Sequence, residues 1–552
     1  MTDDGVIGGP DQNELIIALV AAVGTDVGMV AEELAIELAE YEYDTELLRL
    51  SDYLAEEFKE DFFETKKFDE ALWAAMSAGD TLRNQWNRGD ALALHAISDI
   101  VVIRNEQTNT VEEECDACGT EQPGPGLDRF AFIIRSLKTK DELATLRAVY
   151  GPRLVVIAAY SPKEDRIEHL KTKIAASRGN GNPETWVYTP EALVKRDEKE
   201  ERTRGQDVSD TFHRADFFVR GWSREVARQD VQRTLAILFG SPFRTPTKDE
   251  HGQFLAAGAA LRSAEFGRQV GAAITTLDGS VIAVGTNEVP SYGGGSHWEE
   301  EGPGNRDFEI GDTDTNREQF DQLAAQLATR IDERAGKIIE DAHAEGEVAA
   351  ALHAMREELR GALPKDLRAG GLKDLTEFGR AMHAEMNALL DADRRGVAVQ
   401  DATLHTTTFP CHNCARHIVG AGISRVVFIE PYTKSRAEQL HADSIVIAPT
   451  EPADDKVNFV PFVGVAPRRY GEMFDAAGRE QLGHLARKDN DGRKKEYKKA
   501  EALPVFSDGG LAPFRPAIRE YRMKELLALE HFGHHHGQAP PDDNDDNPSD
   551  SK

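Results

Sequence analysis

The sequence predicts an α/β protein of two folded units, and three observations carry that expectation. At 552 residues the chain exceeds the roughly 250 to 300 residues at which single cores usually stop growing. Short apolar runs alternate with stretches of helical spacing, the pattern of a parallel sheet with crossover helices. A Pro- and Lys-bearing segment, 240–252, separates two such series and divides the chain into 1–250 and 251–530.

In the first series, the apolar run 15–23 ends at Gly24 and is followed by helical spacing over 30–38, which reads as strand, glycine turn, helix. The alternation returns as a strand at 131–134, a helix at 140–149, a strand at 154–159 and a helix at 163–174, with a last helix near 233–239. The polar, acidic stretch 105–125 interrupts it as an exposed insertion. The second series opens with a helix at 254–266. Runs at 270–275 and 281–284 flank the Asp278-Gly279 turn as a hairpin. An insertion at about 299–371 carries one long helical pattern, 320–359. Beyond it come a helix at 380–393, a strand at 403–407, a helix at 411–421, and strands at 425–429 and 444–448. The Asp-, Asn- and Pro-rich tail, 537–552, is expected to be disordered.

Composition narrows the function. Ninety-seven acidic against 65 basic residues give a net charge of -32, which disfavours general coating of a polyphosphate backbone. The first ten residues lack a secretory pattern, and no stretch reaches the ~18 to 20 apolar residues that span a bilayer. A soluble, cytoplasmic protein with no membrane partner is expected. The four cysteines fall as two CxxC pairs, Cys115/Cys118 and Cys411/Cys414, which in such a chain point to metal or redox chemistry before structural disulfides.

The second pair has company. Met382-His383-Ala384-Glu385 is followed by Phe409-Pro410-Cys411-His412-Asn413-Cys414. A catalytic zinc takes three protein ligands and keeps one position for water, and His383, Cys411 and Cys414 supply one nitrogen and two thiolates. A helix start at Cys411 favours thiolates through its unpaired amides and macrodipole, and Pro410 suits that start because its missing N–H would be orphaned there. Glu385, two residues from His383, can sit beside the metal without ligating it and carry protons as the catalytic acid and base. A lone CxxC or a lone histidine reads more simply as a structural feature. Their combination is what points to catalysis.

This H-x-E and P-C-x-x-C spacing is the one zinc nucleobase deaminases share, and from about Phe266 to Ala448 the chain resembles the cytidine/deoxycytidylate deaminase superfamily. The resemblance implies a three-layer α/β/α domain, Zn2+ as cofactor and a free deoxycytidine nucleotide as substrate. It also implies that Asn287 contacts the sugar and phosphate side, and that Tyr432 and Lys434 lie near base and phosphate. Val23-Gly24-Thr25-Asp26-Val27-Gly28-Met29, Phe132 to Lys138 and Arg214 to Phe218 sit where nucleotide kinases carry a phosphate loop, a strand-end arginine motif and a late Ala-Asp strand. Over nearly its full length the chain is similar to two-domain bacterial anti-phage deaminases that join a degenerate P-loop-kinase-like domain to a deoxycytidylate-type deaminase domain. That likeness implies conversion of dCTP and dCMP to dUTP and dUMP, depletion of the pool a phage needs, a homo-oligomer such as a hexamer, and in some members silencing by a small RNA.

The phosphate loop departs from its pattern. A working G-x-x-x-x-G-K-[ST] loop neutralises phosphates with Lys and holds magnesium with the hydroxyl; here Gly24, Thr25, Asp26 and Gly28 lead into Met29 and Val30. A binding or scaffold role is expected of this loop, not phosphoryl transfer. Cys115 and Cys118 lack further cysteines to complete a site. The basic run Arg493, Lys494, Lys495, Lys498 and Lys499 reads as an RNA or phosphate contact or, more simply, a solvated helix face. His531 and His534 to His536 read at most as an adventitious metal cluster. Two alternatives stay open: a nucleic-acid base-editing deaminase, and a non-catalytic nucleotide- or RNA-binding scaffold.

Overall fold

A computed structural model describes residues 13–108, 126–179, 182–198, 208–301, 304–311, 315–341, 343, 346–369, 378–432, 435–449, 451–481, 486–489, 491–505, 524, 525, 528 and 529. Cys115, Cys118, Lys434, the histidine cluster and the 537–552 tail lie outside the described residues. The chain divides into two units, Met1–Glu250 with Pro461–Lys552, and His251–Val460.

The first unit is built on six strands: β1 (Leu15–Ala21), β2 (Asp44–Arg49), β3 (Phe130–Leu137), β4 (Leu154–Tyr160), β5 (Phe217–Arg220) and β12 (Gly464–Val465), in the order β12-β5-β4-β1-β3-β2. All seven residues of β1, Leu-Ile-Ile-Ala-Leu-Val-Ala, are buried, as expected of a central parallel strand covered on both faces. β1 pairs in parallel with β3 and β4, while β12 closes the far edge antiparallel to β5. Helices Val27–Ala39 and Arg224–Leu238 supply Leu34, Leu38, Val231 and Leu235 to the core beside Ile17 and Ile157.

Period-2 patterning misses β2, because Asp-Thr-Glu-Leu-Leu-Arg is polar and half-exposed. The helices Phe68–Gln85 and Ala91–Thr108 also go beyond the elements expected from the sequence. The sequence carries the expected second domain to 530, and the compact second unit of the structure runs His251–Val460. From Pro461 the chain returns to the first unit. There Val465 N–H donates to Glu250 Oε1 at 2.9 Å, Val505 N–H donates to Leu238 O at 2.7 Å, and Glu525 pairs with Arg104 at 2.8 Å. The basic run at 493–499 is not one helical face either: Lys499 pairs with Glu37 at 2.6 Å and Lys494 Nζ lies 4.6 Å from the Phe243 ring.

The second unit holds a mixed sheet, order β10-β11-β9-β8-β6-β7, of β6 (Gly271–Thr275), β7 (Val281–Thr286), β8 (Thr403–Thr408), β9 (Arg425–Glu430), β10 (Ile445–Ile447) and β11 (Val457–Pro461). β6 runs antiparallel to both β7 and β8, and β8 runs parallel to β9. The expected 254–266 helix instead spans Lys248–Ala260, and Gly271 lets it lie close to β6. A Cβ there would come within 1.9 Å of Ala256 O. The single helical pattern at 320–359 is two helices, Thr315–Asp341 and Gly346–Ala369, joined sideways by Arg356 on Asp332 at 2.7 Å. Among the described residues no helix is long and apolar enough to cross a membrane.

Candidate active site

Two helix starts in the second unit face one another across the end of β8. The expected helix from 380 begins only at Ala384, with His383 as its extended N-cap residue. The preceding residues are drawn into a bridge instead: Met382 N–H donates to Glu288 O at 3.0 Å. Glu288, 2% exposed, is itself fixed by Arg306 at 2.8 Å and by the backbone N–H groups of Ala264 and Val289. Asn387 then ties the first turn down, donating to Thr286 O at 2.8 Å and Ser296 Oγ at 2.7 Å. Gly285 makes the close approach of β7 possible, since a Cβ there would stand 2.2 Å from Ala384 O.

The opposite start, His412–Gly420, has Cys411 as N-cap, its sulfur accepting from Cys414 N–H at 3.5 Å. Pro410 precedes the cap and is not the first helical residue; its carbonyl accepts from Ser435 Oγ at 2.8 Å. His383 Nδ1 stands 3.3 Å from each cysteine sulfur, and Cys414 Sγ stands 3.4 Å from Glu385 Oε2. The one donor atom from each of His383, Cys411 and Cys414 lies within 4.8 Å of the others.

The electrostatics suit a cation. The Cys414 contact, with His383 beside it, holds the Cys411 thiol down at about 4 against the opposing effect of burial. Cys414 is pushed well above the ordinary thiol value by the Cys411 sulfur and by burial. His383 is raised to about 9, chiefly by Cys411. A positive charge placed here favours the second thiolate. One imidazole nitrogen and two thiols, with no further His, Cys, Asp or Glu in the cluster among the described residues, is the donor set of a catalytic zinc site. Glu385, 4% exposed, is not part of that set, and burial pushes its carboxyl up.

The remaining expected site residues are placed less simply. Asn287 follows β7 with its amide committed to backbone, Oδ1 accepting from Val270 N–H at 2.7 Å and Nδ2 donating to Arg268 O at 2.6 Å. Tyr432 packs against the core that contains both cysteines, and Arg268, ion-paired with Glu430, lies 6.0 Å from its ring. Glu288 and Arg268 do not stand out in the sequence. A buried carboxylate beside Asn287 carries no periodic signal. In the first unit, Gly24 adopts a left-handed φ of 91°, Asp26 caps the next helix through Met29 N–H at 3.1 Å, and Thr25 Oγ1 is buried without a hydrogen-bond partner among the described residues.

Residues 246–430 match the family described as "Cytidine and deoxycytidylate deaminase zinc-binding region". The chain is 42% identical over 55 residues to the deoxycytidylate deaminase of Enterobacteria phage T2, covering 10% of this chain and 29% of that protein. It is 40% identical over 62 residues to ComE operon protein 2 of Bacillus subtilis (strain 168), covering 11% and 33%. It is 51% identical over 51 residues to the deoxycytidylate deaminase of Saccharomyces cerevisiae, covering 9% and 16%. The chain thus spans only about a third or less of the length of these relatives. Among solved structures, the dCMP deaminase of cyanophage S-TIM5 aligns at 15% identity over 40% of this chain and all of that one, with a TM-score of 0.21. The segment that matches this zinc-binding family includes His383, Cys411 and Cys414, a cluster able to hold a metal ion.

Proposed function

We propose that this protein hydrolyses the exocyclic amino group of free deoxycytidine nucleotides, dCMP or dCTP, giving ammonia and dUMP or dUTP. The observation that carries the reading is the buried Glu385 carboxyl 3.4 Å from a metal-ligating sulfur and outside the ligand set. A structural zinc has no use for it. The ion held by His383, Cys411 and Cys414 supplies Lewis-acid activation of water at neutral pH. Glu385 accepts one proton from the attacking water and delivers it to the ring nitrogen so that the amino-bearing carbon becomes electrophilic, then takes the second proton from the hydroxyl left on that carbon and passes it to the amino group, which departs as ammonia. Burial, which favours the neutral carboxyl, keeps the proton available for that return. Asn287, with one N–H beyond the bond to Arg268 O, serves the sugar side, and Tyr432 walls the base; Lys434 is assigned to the phosphate.

The first unit is read as a degenerate P-loop-kinase-like domain. The glycine turn between β1 and the Val27–Ala39 helix supports that reading, and Met29 and Val30 in place of Lys and a hydroxyl argue against phosphoryl transfer. The resemblance to anti-phage deaminases carries the biological reading: a cytoplasmic homo-oligomer, restrained by a small RNA, that drains dCTP during infection. The test is ammonia release and uracil-nucleotide formation from cytidine, dCMP, dCTP, CTP and a cytosine oligonucleotide side by side, with Glu385→Gln as control. Turnover of dCMP or dCTP that disappears in the control is expected. Turnover of the oligonucleotide alone would transfer the activity to nucleic acid.

A further inference from the structure

The insertion of the second unit leaves an apolar face uncovered. Among the described residues its two helices, Thr315–Asp341 and Gly346–Ala369, pack chiefly on each other. Phe320, Ala324, Ala328 and Gly336 are the buried positions of the first helix. The helices come close at Gly336, where a Cβ would stand 2.8 Å from Arg356 Nη1, and Arg356 pairs with Asp332 beside it. That contact does not account for the large apolar side chains further round. Ile331, Ile338, Val348, Met355 and Leu359 are all exposed, Ile338 and Val348 by 62% and 63%.

These side chains form one surface. Asp332 and Arg356 stand about equally far along the chain from the junction of the helices, so the second helix runs back along the first. Ile331 and Met355 each precede by one residue their member of that pair, and each therefore lies about 100° back from the contact around its own axis. An equal turn in the same sense about two opposed axes brings both side chains to the same side of the hairpin. Ile338 follows Ile331 by seven residues, Val348 precedes Met355 by seven and Leu359 follows it by four, the spacings that keep them on the same two stripes. On a chain of net charge -32, an apolar patch bordered by charge marks a surface that another surface covers.

The charges at its two edges say what covers it. By the same helical period, Arg330, Arg334 and Lys337 lie exposed along the outer side of the first helix, and Glu347 and Glu358 along the outer side of the second. None of these side chains has an ion pair among the described residues. A two-fold axis through the middle of the face lays the first helix of one copy over the second helix of the other, so that each basic edge meets an acidic one. The face is thus its own complement, which a two-fold contact requires, with the apolar middle and charged rim of an interface. A uniformly acidic or uniformly basic partner would meet repulsion along one edge.

We propose that a second copy of this chain covers this face, the two helical hairpins packing about a two-fold axis with Arg330, Arg334 and Lys337 of each copy against Glu347 and Glu358 of the other. The inference is independent of the deamination reading. Its test is sedimentation velocity on the full-length protein. Ile338→Glu and Met355→Glu should each halve the mass of the assembly, because one two-fold contact is lost, while the circular dichroism spectrum stays that of the parent. Arg334→Glu and Glu358→Lys should each weaken self-association at least about tenfold. Mixing those two variants should restore it, since in the mixed pair the two reversed charges meet on one edge and the native charges meet on the other. Both charge variants alter exposed positions, so they keep the test alive if the apolar variants fail to fold. A parent protein that sediments as a monomer, an assembly whose mass survives both apolar variants, or charge variants that assemble like the parent or fail to restore one another would each overturn the assignment.

Discussion

The start of the Val27–Ala39 helix in the first unit and that of the His412–Gly420 helix in the second both place negative charge against unpaired backbone amides, with different results. In the first, the Asp26 carboxylate accepts from Met29 at 3.1 Å. In the second, the Cys411 sulfur accepts from Cys414 at 3.5 Å. The backbone physics is shared, because orphan N–H groups and the macrodipole favour an anion at any helix start. The difference lies in what else converges. Asp26 ends its task as a cap, whereas Cys411 and Cys414 together meet an imidazole and a buried carboxyl brought by another helix, the imidazole against both sulfurs and the carboxyl against Cys414. A helix start becomes a reactive site only when a second element delivers partners to it.

That contrast is breakable, beginning with its largest expected effect. Glu385→Gln should lower turnover of dCMP or dCTP by about 10^3 while leaving bound zinc, measured by elemental mass spectrometry, unchanged. Turnover near the parent level would remove the distinction between the two helix starts. Chelation should lower the melting temperature as well as activity: an ion present at a hundredfold over its Kd stabilises by about 2.7 kcal/mol. Asp26→Ala should leave zinc content untouched. Gly285→Val inserts a side chain where a Cβ already stands 2.2 Å from Ala384 O, so a loss of about 1 to 3 kcal/mol in urea unfolding is expected, with zinc affinity falling alongside.

Asp26→Ala itself should cost about 1 kcal/mol, as cap removal does, and Asp26→Asn distinctly less, because the amide oxygen still accepts from Met29. Equal losses would show that charge, not capping, is what Asp26 contributes. The smallest effect is in pH. Burial works to raise the Asp69 carboxyl, but the N–H groups of Tyr188 and Val187 and the Arg178 guanidinium outweigh it and hold it low. Its contribution is therefore complete above the unfolded value of about 3.9 and is lost as pH falls through the lower folded value. Asp69→Asn should flatten the acid limb of first-unit unfolding, followed by circular dichroism, and leave stability at neutral pH reduced.

Much of the candidate site was legible in the residue order. His383, Glu385, Cys411 and Cys414 announce themselves because metal chemistry restricts residue type and spacing, and short spacings survive an error in where a helix begins. The helix expected from 380 starts at 384, yet His383 and Glu385 keep their relation. Buried strands such as β1 and β4 were equally plain, since burial on both faces demands unbroken apolar runs.

What tertiary structure alone decided are relations between distant segments. Glu288 holds the backbone before His383, Asn287 spends most of its amide on the backbone of 268–270, and Gly464 and Val465 join β5 and not the preceding sheet. No local pattern encodes these. A polar residue's partner is set by which backbone group lies within about 3 Å after packing, and that depends on the whole fold. The arginines at 49 and 135 are the same lesson: each is an ordinary strand-end residue in sequence, and only the assembled sheet places them on one cavity.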